Sequence, residues 1–186
     1  MARKPLIVYV SGAPGSGKTT LARKIAQELY IPQVSSDLVH GGVRFTEGKP
    51  NDRKVSLHNV FVPLLVEMAR KKISFVVDHV LQRNLSERDV VDKLTPYATL
   101  VYIHTCTNDP IARHLERELT RTDRGVILSN QERIERSEYH RQNLSHTEHP
   151  LDLGISPLEV DTTDGYQPVF ADIIAFIENA YTGGRE

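Results

Sequence analysis

One stretch constrains this chain more than any other. Leu6-Ile7-Val8-Tyr9-Val10 is an unbroken apolar run, and Gly12-Ala13-Pro14-Gly15-Ser16-Gly17-Lys18-Thr19 follows it almost directly. The run suits a strand buried on both faces. Lys18 to Tyr30 then carries Leu21, Ile25, Ala26 and Leu29 at helical spacing and stops before Pro32. A buried strand, a turn fitting G-x-x-x-x-G-K-[ST] and an amphipathic helix together make a phosphate-binding loop. Gly12, Gly15 and Gly17 let the backbone turn sharply and aim its N–H groups inward, and the helix N-terminus adds its positive end. Ala13, Pro14, Ser16 and Thr20 complete the expected nucleotide contact. Lys18 is expected to neutralise the β- and γ-phosphates of a bound nucleotide, and the Thr19 hydroxyl to ligate Mg²⁺. A flexible glycine-rich turn would not explain Lys18 and Thr19 at those places.

The rest of the chain alternates strand and helix. Strands are expected at Gln33 to Ser36, Ile73 to Val77, Thr99 to Thr105 and Ile155 to Val160, the last near an edge because Pro157 breaks it. Helices are expected at Lys54 to Lys72, with a kink or a break at Pro63, and at Ser86 to Leu94, with Ser86 as cap. Another opens at Asp109-Pro110. Ser129-x-x-Glu132 forms a capping box for a helix to about Asn143, and Val169 to Tyr181 is a final amphipathic helix. Strands separated by helices imply parallel crossovers and an α/β sheet covered on both faces.

The length, 186 residues, fits one domain spanning 1–186. With 39% hydrophobic and 25% charged residues, a disordered, collagen-like or coiled-coil chain is excluded. No apolar run approaches the ~18 residues that span a bilayer. The basic start at Met1 to Pro5 runs into Ser11 and Gly12 without a cleavage site, so no signal peptide is expected. A lone Cys106 fits a reducing cytoplasm and is expected to pack rather than react. The formal net charge of −1 does not point to a dedicated nucleic-acid binder.

A phosphate-binding loop implies nucleotide binding and leaves the reaction open. Ser74-Phe75-Val76-Val77-Asp78 is a strand ending in an acid, a second nucleotide-site signal. His79 comes next, where motor and transporter ATPases usually place Glu to activate water. Neither N-K-x-D nor D-x-x-G occurs, so a regulatory GTPase is excluded. An oligomeric AAA+ machine needs more chain. What remains is a small kinase. Asp37, in Ser35-Ser36-Asp37, is expected at the end of the second strand, where strand C-termini open onto the ligand crevice. It could take the proton from an acceptor hydroxyl or cap a helix. Asp78 could hold Mg²⁺, with Thr19, or share the acceptor.

The stretch from His40 to Pro50 is glycine-rich with two cations and reads as an acceptor-binding loop, within an acceptor region of about 38–72. Arg44 is its leading ligand contact, and Arg83, just after the Asp78 strand, is a second. Arg113, Arg117, Arg121 and Arg124 fall within an ~80° arc of one helix face. They lead into Thr120 to Pro150, which is polar and reads either as a solvated surface segment or as a lid over about 121–150. A kinase needs such arginines for the charge on the transferred phosphoryl group. His140, His146 and His149, with Glu148 and Asp152, match no zinc spacing.

In this order, the phosphate loop, Asp37, Asp78, Asp109-Pro110 with Arg117, Arg121 and Asp123-Arg124, and Val160-Asp161-Thr162-Thr163 resemble a known family. It is the small P-loop kinases of the chloramphenicol phosphotransferase and shikimate kinase type, within the nucleoside-monophosphate-kinase-like group. The 5′-kinase domain of polynucleotide kinase and zeta toxins are more distant. The resemblance implies a P-loop NTPase fold with a five-stranded parallel sheet of order 2-3-1-4-5 and a helical lid. It implies an ATP–Mg²⁺ site, Asp37 as acceptor base, Arg117 against adenine, Arg121 or Arg124 as lid cations, and Asp161 to Thr163, with Thr162, bordering adenine. Two departures stand out. Ser35 takes the place of the first acid of the shikimate kinase pair, and no Gly-Gly-Gly comes after Asp78, so shikimate is not the expected acceptor. The expectation is an ATP-dependent kinase acting on a hydroxyl of a small molecule. The alternatives are a kinase of nucleotides or polynucleotide 5′-hydroxyls, or a nucleotide-binding regulator or toxin-like protein with little turnover.

Overall fold

The computed structural model describes residues 3–47, 57–83, 87–120 and 145–183, with isolated positions between 131 and 143. Five strands form one sheet: β1 (Leu6–Gly12), β2 (Gln33–Ser35), β3 (Phe75–Asp78), β4 (Thr99–Cys106) and β5 (Leu158–Asp161). Their order is β2-β3-β1-β4-β5 and every pairing is parallel. Among the described residues, six α-helices with continuous spans accompany them: α1 (Lys18–Glu28), α2 (Ser36–Glu47), α3 (Val62–Arg70), α4 (Glu87–Leu94), α5 (Pro110–Thr120) and α6 (Phe170–Gly183). The expected α/β fold and strand order are both present.

β1 is central because its sequence is apolar on both faces. Strand side chains alternate, so Ile7 and Tyr9 face one way and Val8 and Val10 the other. Ile7 and Tyr9 join a core with Phe61, Leu65, Val77, Leu94 and Tyr102. Val8 and Val10 join Leu21, Ile25, Ile103, Ile173 and Ile177 on the opposite face. Each fully buried aliphatic side chain contributes roughly 1.5–3 kcal/mol. The two cores therefore fix the register that brings the C-terminal ends of β1, β3 and β4 together.

Several boundaries differ from the sequence expectation. His40 to Glu47 is not a loop but the body of α2. Gly41 and Gly42 cost a helix ~1 kcal/mol each. Val39 packs against the core beneath them and offsets that cost. A Cβ at either glycine would meet nothing within 4 Å, so the pair is not required by crowding. Asp37 accordingly sits in the first turn of α2 rather than at a strand end, since β2 stops at Ser35.

A π-helical turn at Leu57–Phe61 runs into α3, and Pro63 lies in the first turn of α3. β3 starts at Phe75 rather than Ile73. Lys72 closes α3 in a left-handed conformation at φ 61°, and the Ile73 N–H returns to the Met68 carbonyl. Pro157 stays outside β5, which is an edge strand. Asp109 caps α5 through its Oδ1, which accepts the Ala112 N–H at 2.9 Å, with Pro110 in the first helical position. The Ser86 cap and the Ser129–Glu132 box lie outside the described residues.

Candidate functional site

The loop between β1 and α1 winds tightly. Gly12, Gly15 and Gly17 have φ values of 143°, 91° and 82°. At Gly12 a Cβ would run into the Thr105 carbonyl, and at Gly15 into the Pro110 carbonyl. Only glycine fits either place, because the backbone of the loop lies directly on the ends of β4 and α5.

The loop is held from behind by side chains. Ser16 is fully buried and shares a 2.6 Å hydrogen bond with the Thr105 hydroxyl, which itself lies 3.1 Å from the Ser11 carbonyl. The Thr162 hydroxyl donates to the Ser16 carbonyl at 2.8 Å, with the Cys106 carbonyl 3.2 Å away. Arg113 Nη1 reaches the Thr162 carbonyl at 3.0 Å and the Thr107 hydroxyl at 2.6 Å. The structure therefore uses the Thr162 side chain as a tie to the loop backbone. Thr105 was not legible in sequence. Its role arises from its pairing opposite Gly12 in the β1–β4 register.

At the front of the loop, Lys18 lies outside both apolar cores and its Nζ donates to the Ala13 carbonyl at 3.3 Å. Thr20 is exposed. Asp78 ends β3 and is only 4% exposed. Burial pushes its carboxyl up. The Lys18 charge and hydrogen bonds from Thr19 and Ser35 pull the other way, while the Asp37 charge adds to the rise. The net shift is upward. One carboxylate thus touches the loop through Thr19 and senses both Lys18 and Asp37. That convergence of Lys18, Thr19, Asp37 and Asp78 is the centre of the candidate site.

Beside this centre stand residues to which the sequence alone assigned no role. His79 Nδ1 lies 2.9 Å from Ser36 Oγ, and its ring packs against Tyr9 and Phe61. The Tyr9 hydroxyl is buried and has no hydrogen-bond partner among the described residues. Burial, with the Tyr102 hydroxyl and the Asp78 charge, holds that hydroxyl well above its ordinary value.

The arginines divide. Arg113 belongs to the support behind the loop, and Arg117 is exposed on α5. Arg44 lies within α2 rather than on a loop. Arg83 is exposed, and its main-chain N–H donates to His146 Nε2 at 3.2 Å. Arg121, Arg124 and most of the expected lid lie outside the described residues. Cys106 ends β4, half-buried, and burial, with the Asp161 and Glu159 charges, pushes its thiol up. Among the described residues, no three His, Cys, Asp or Glu side chains converge as a metal set, and no helix is long and apolar enough to cross a membrane.

A second buried network lies on β4. His104 Nε2 donates to the Glu148 carbonyl at 3.1 Å, which leaves Nδ1 to face the Tyr102 hydroxyl at 3.4 Å. The Leu151 N–H donates to that hydroxyl at 3.3 Å. Burial lowers the His104 pKa and pushes Tyr102 up to about 12.

The chain is similar to known proteins at three levels. A family model described as an AAA domain matches residues 7–145. A 34-residue segment is 59% identical to part of a cytidylate kinase from Pyrobaculum aerophilum, and the match spans only 18% of each protein. The crystal structure of a candidate kinase from Chloroflexus aurantiacus matches at a TM-score of 0.68 and 22% identity, over 95% of this chain and 96% of that one. Shikimate kinase from Acinetobacter baumannii, solved with shikimate, matches at a TM-score of 0.56 and 17% identity, over 98% and 95%. The structural likenesses are likenesses of fold. The family match takes in the phosphate-binding loop, Asp37, Asp78 and α5. The chain therefore belongs to this AAA domain family, on the fold shared with small P-loop kinases.

Proposed function

We propose that the protein is an ATP-dependent phosphotransferase that moves the γ-phosphoryl group to a hydroxyl of a small molecule. The observation that supports this most is Asp78, a buried carboxyl hydrogen-bonded to Thr19 of the loop and sensing Lys18 and Asp37. A hydroxyl and a carboxylate side by side, with an ammonium nearby, form an oxygen donor set that suits Mg²⁺ beside a polyphosphate. Thr19 and Asp78 would hold the ion, which when bound offsets negative charge on the phosphate oxygens.

In this reading the main-chain N–H groups of residues 13–19 and the N-terminus of α1 hold the phosphates, and Lys18 swings from the Ala13 carbonyl onto them. Asp37 orients the acceptor hydroxyl and accepts its proton as the oxygen attacks phosphorus. Arg44 and Arg83 serve the acceptor, Arg117 the adenine, and Arg121 and Arg124 the charge on the phosphoryl group. Thr162 acts through the loop it supports. Residues 1–186 form one kinase domain, with the acceptor region at about 38–72 and a lid at about 121–150, in a reducing cytoplasm.

A nucleotide acceptor is the second reading, supported by the short identity to cytidylate kinase. Incubation with γ-labelled ATP, Mg²⁺ and a panel of sugars, antibiotics, nucleosides, nucleoside monophosphates and oligonucleotides separates the two. Label on a non-nucleotide alcohol supports the first reading. Label on a nucleoside monophosphate or a 5′ end overturns it in favour of the second. Binding of ATP without transfer to any hydroxyl points to a regulator.

A further inference from the structure

His79 comes directly after the buried Asp78 and is fixed on three sides. Its main-chain N–H donates to the Val10 carbonyl at 3.3 Å, extending the pairing of β3 with β1. Its ring meets Tyr9 edge-on, centroids 6.4 Å apart at 74°, and tilts against Phe61 at 5.4 Å. Tyr9 and Phe61 are both core residues, at 2% and 1% exposure. The imidazole therefore has little freedom, and its Nδ1 shares a 2.9 Å hydrogen bond with the hydroxyl of Ser36, the first residue of α2.

The neighbouring pair repeats the pattern. Ser35 lies opposite Asp78 in the β2–β3 register and hydrogen-bonds its carboxyl. Ser35-Ser36 thus bonds Asp78-His79 rung by rung, and Asp37 is the next residue of α2. This helix needs such ties. It contains Gly41-Gly42, which weaken it by ~1 kcal/mol each relative to alanine. Leu38 and Phe45 on it are 76% and 92% exposed and so add little packing.

We infer that His79 is a positioning residue that fixes the first turn of α2, and with it the Asp37 carboxylate, against the end of β3. The functional half of this inference rests on the reading of Asp37 as the acceptor-side base; the structural half does not. A misplacement of about 1 Å at a reacting group costs up to ~10²-fold in rate. The bond between His79 and Ser36 is placed to prevent such a shift.

The test uses His79→Phe, which keeps a flat ring between Tyr9 and Phe61 but cannot bond Ser36, and His79→Asn, whose amide can replace Nδ1. Hydrogen exchange of the first turn of α2 is measured without nucleotide in both variants, in Ser36→Ala and in the double variant His79→Phe/Ser36→Ala. Expected is faster exchange in His79→Phe and in Ser36→Ala to a similar degree, no further change in the double variant, and recovery in His79→Asn. Additive effects, or unchanged exchange in His79→Phe, overturn the inference. On any acceptor that the wild type phosphorylates, kcat of His79→Phe should fall about 10- to 100-fold with the KM for ATP unchanged and His79→Asn partly restored. An unchanged kcat overturns the positioning role. If the wild type phosphorylates nothing, the kinase reading has failed, and the exchange result alone decides the His79–Ser36 tie.

Discussion

The Thr162 hydroxyl donates to the Ser16 main-chain carbonyl at 2.8 Å, joining the segment after the last strand to the middle of the phosphate-binding loop. Thr162 is 6% exposed and Ser16 fully buried, so water does not replace this bond easily. Thr162→Val keeps the shape and removes the donor. Leaving a buried acceptor unpaired costs about 1–3 kcal/mol. A lower melting temperature and several-fold weaker ATP binding are expected, read by calorimetry. Unchanged values in both would mean that the loop holds its shape without this tie.

Lys18 touches the loop through the Ala13 carbonyl and fills no apolar core. Its removal takes away a charge and leaves no large cavity. Lys18→Ala should retain the fold by circular dichroism while ATP binding weakens and phosphoryl transfer is lost. Unchanged ATP affinity and turnover would remove the nucleotide reading altogether.

Asp78 sets function against stability. Its folded pKa lies above the ordinary 3.8, because burial outweighs Lys18, Thr19 and Ser35. The ionised form is therefore the one that the fold disfavours. The contribution of this group is fully present below pH 3.8 and is lost as pH rises through the raised value. Asp78→Asn removes that loss. Its melting temperature without nucleotide should equal or exceed that of the wild type at pH 7, with the advantage shrinking as pH falls towards 3.8. Transfer should fall at least about 10²-fold if Asp78 holds Mg²⁺ as proposed. A variant that melts well below wild type at pH 7 contradicts this balance.

Asp37 is exposed in the first turn of α2, so its charge can be removed at little structural cost. General-base action contributes about 10²–10⁴-fold. Asp37→Asn should lose that factor in turnover, with ATP affinity and melting temperature nearly unchanged. Turnover within a few-fold of wild type would assign the base to Asp78.

His104 makes the fold sensitive to mild acid. Burial holds its pKa below the ordinary 6.5, with the Glu148 carbonyl only partly opposing. The unfolded chain therefore takes up a proton first, and the stability tied to neutral His104 is lost as pH falls below about 6.5. His104→Gln keeps a donor for Glu148 and cannot titrate. Denaturant midpoints at pH 7.5 and 5.5 should differ less in this variant than in wild type; an equal difference would place the sensitivity elsewhere.

Much of this was legible in the chain itself. The β1 run reads as a central strand because it is apolar at both parities, and the glycine-rich turn after it matches the spacing of a phosphate-binding loop. Asp109-Pro110 opens a helix by local capping chemistry, and Asp78 ends a strand because apolar residues run up to it. All of these depend on contacts within a few residues. The α2 segment differs from expectation because Gly41 and Gly42 suggest a loop, and only the core beneath Val39 makes a helix worth forming there.

The sequence alone determined the sheet's central strand, the glycine-rich loop after it and the strand that ends in Asp78, since periodicity and spacing are local. The tertiary structure alone decided what surrounds them. Ser16, Thr105, Thr162 and Arg113 are scattered over nearly 150 positions, and His79 meets Ser36 across 43 residues. A hydrogen bond between such partners leaves no periodic trace in a single chain, because it exists only once parallel pairing has brought the ends of β1, β3, β4 and β5 side by side.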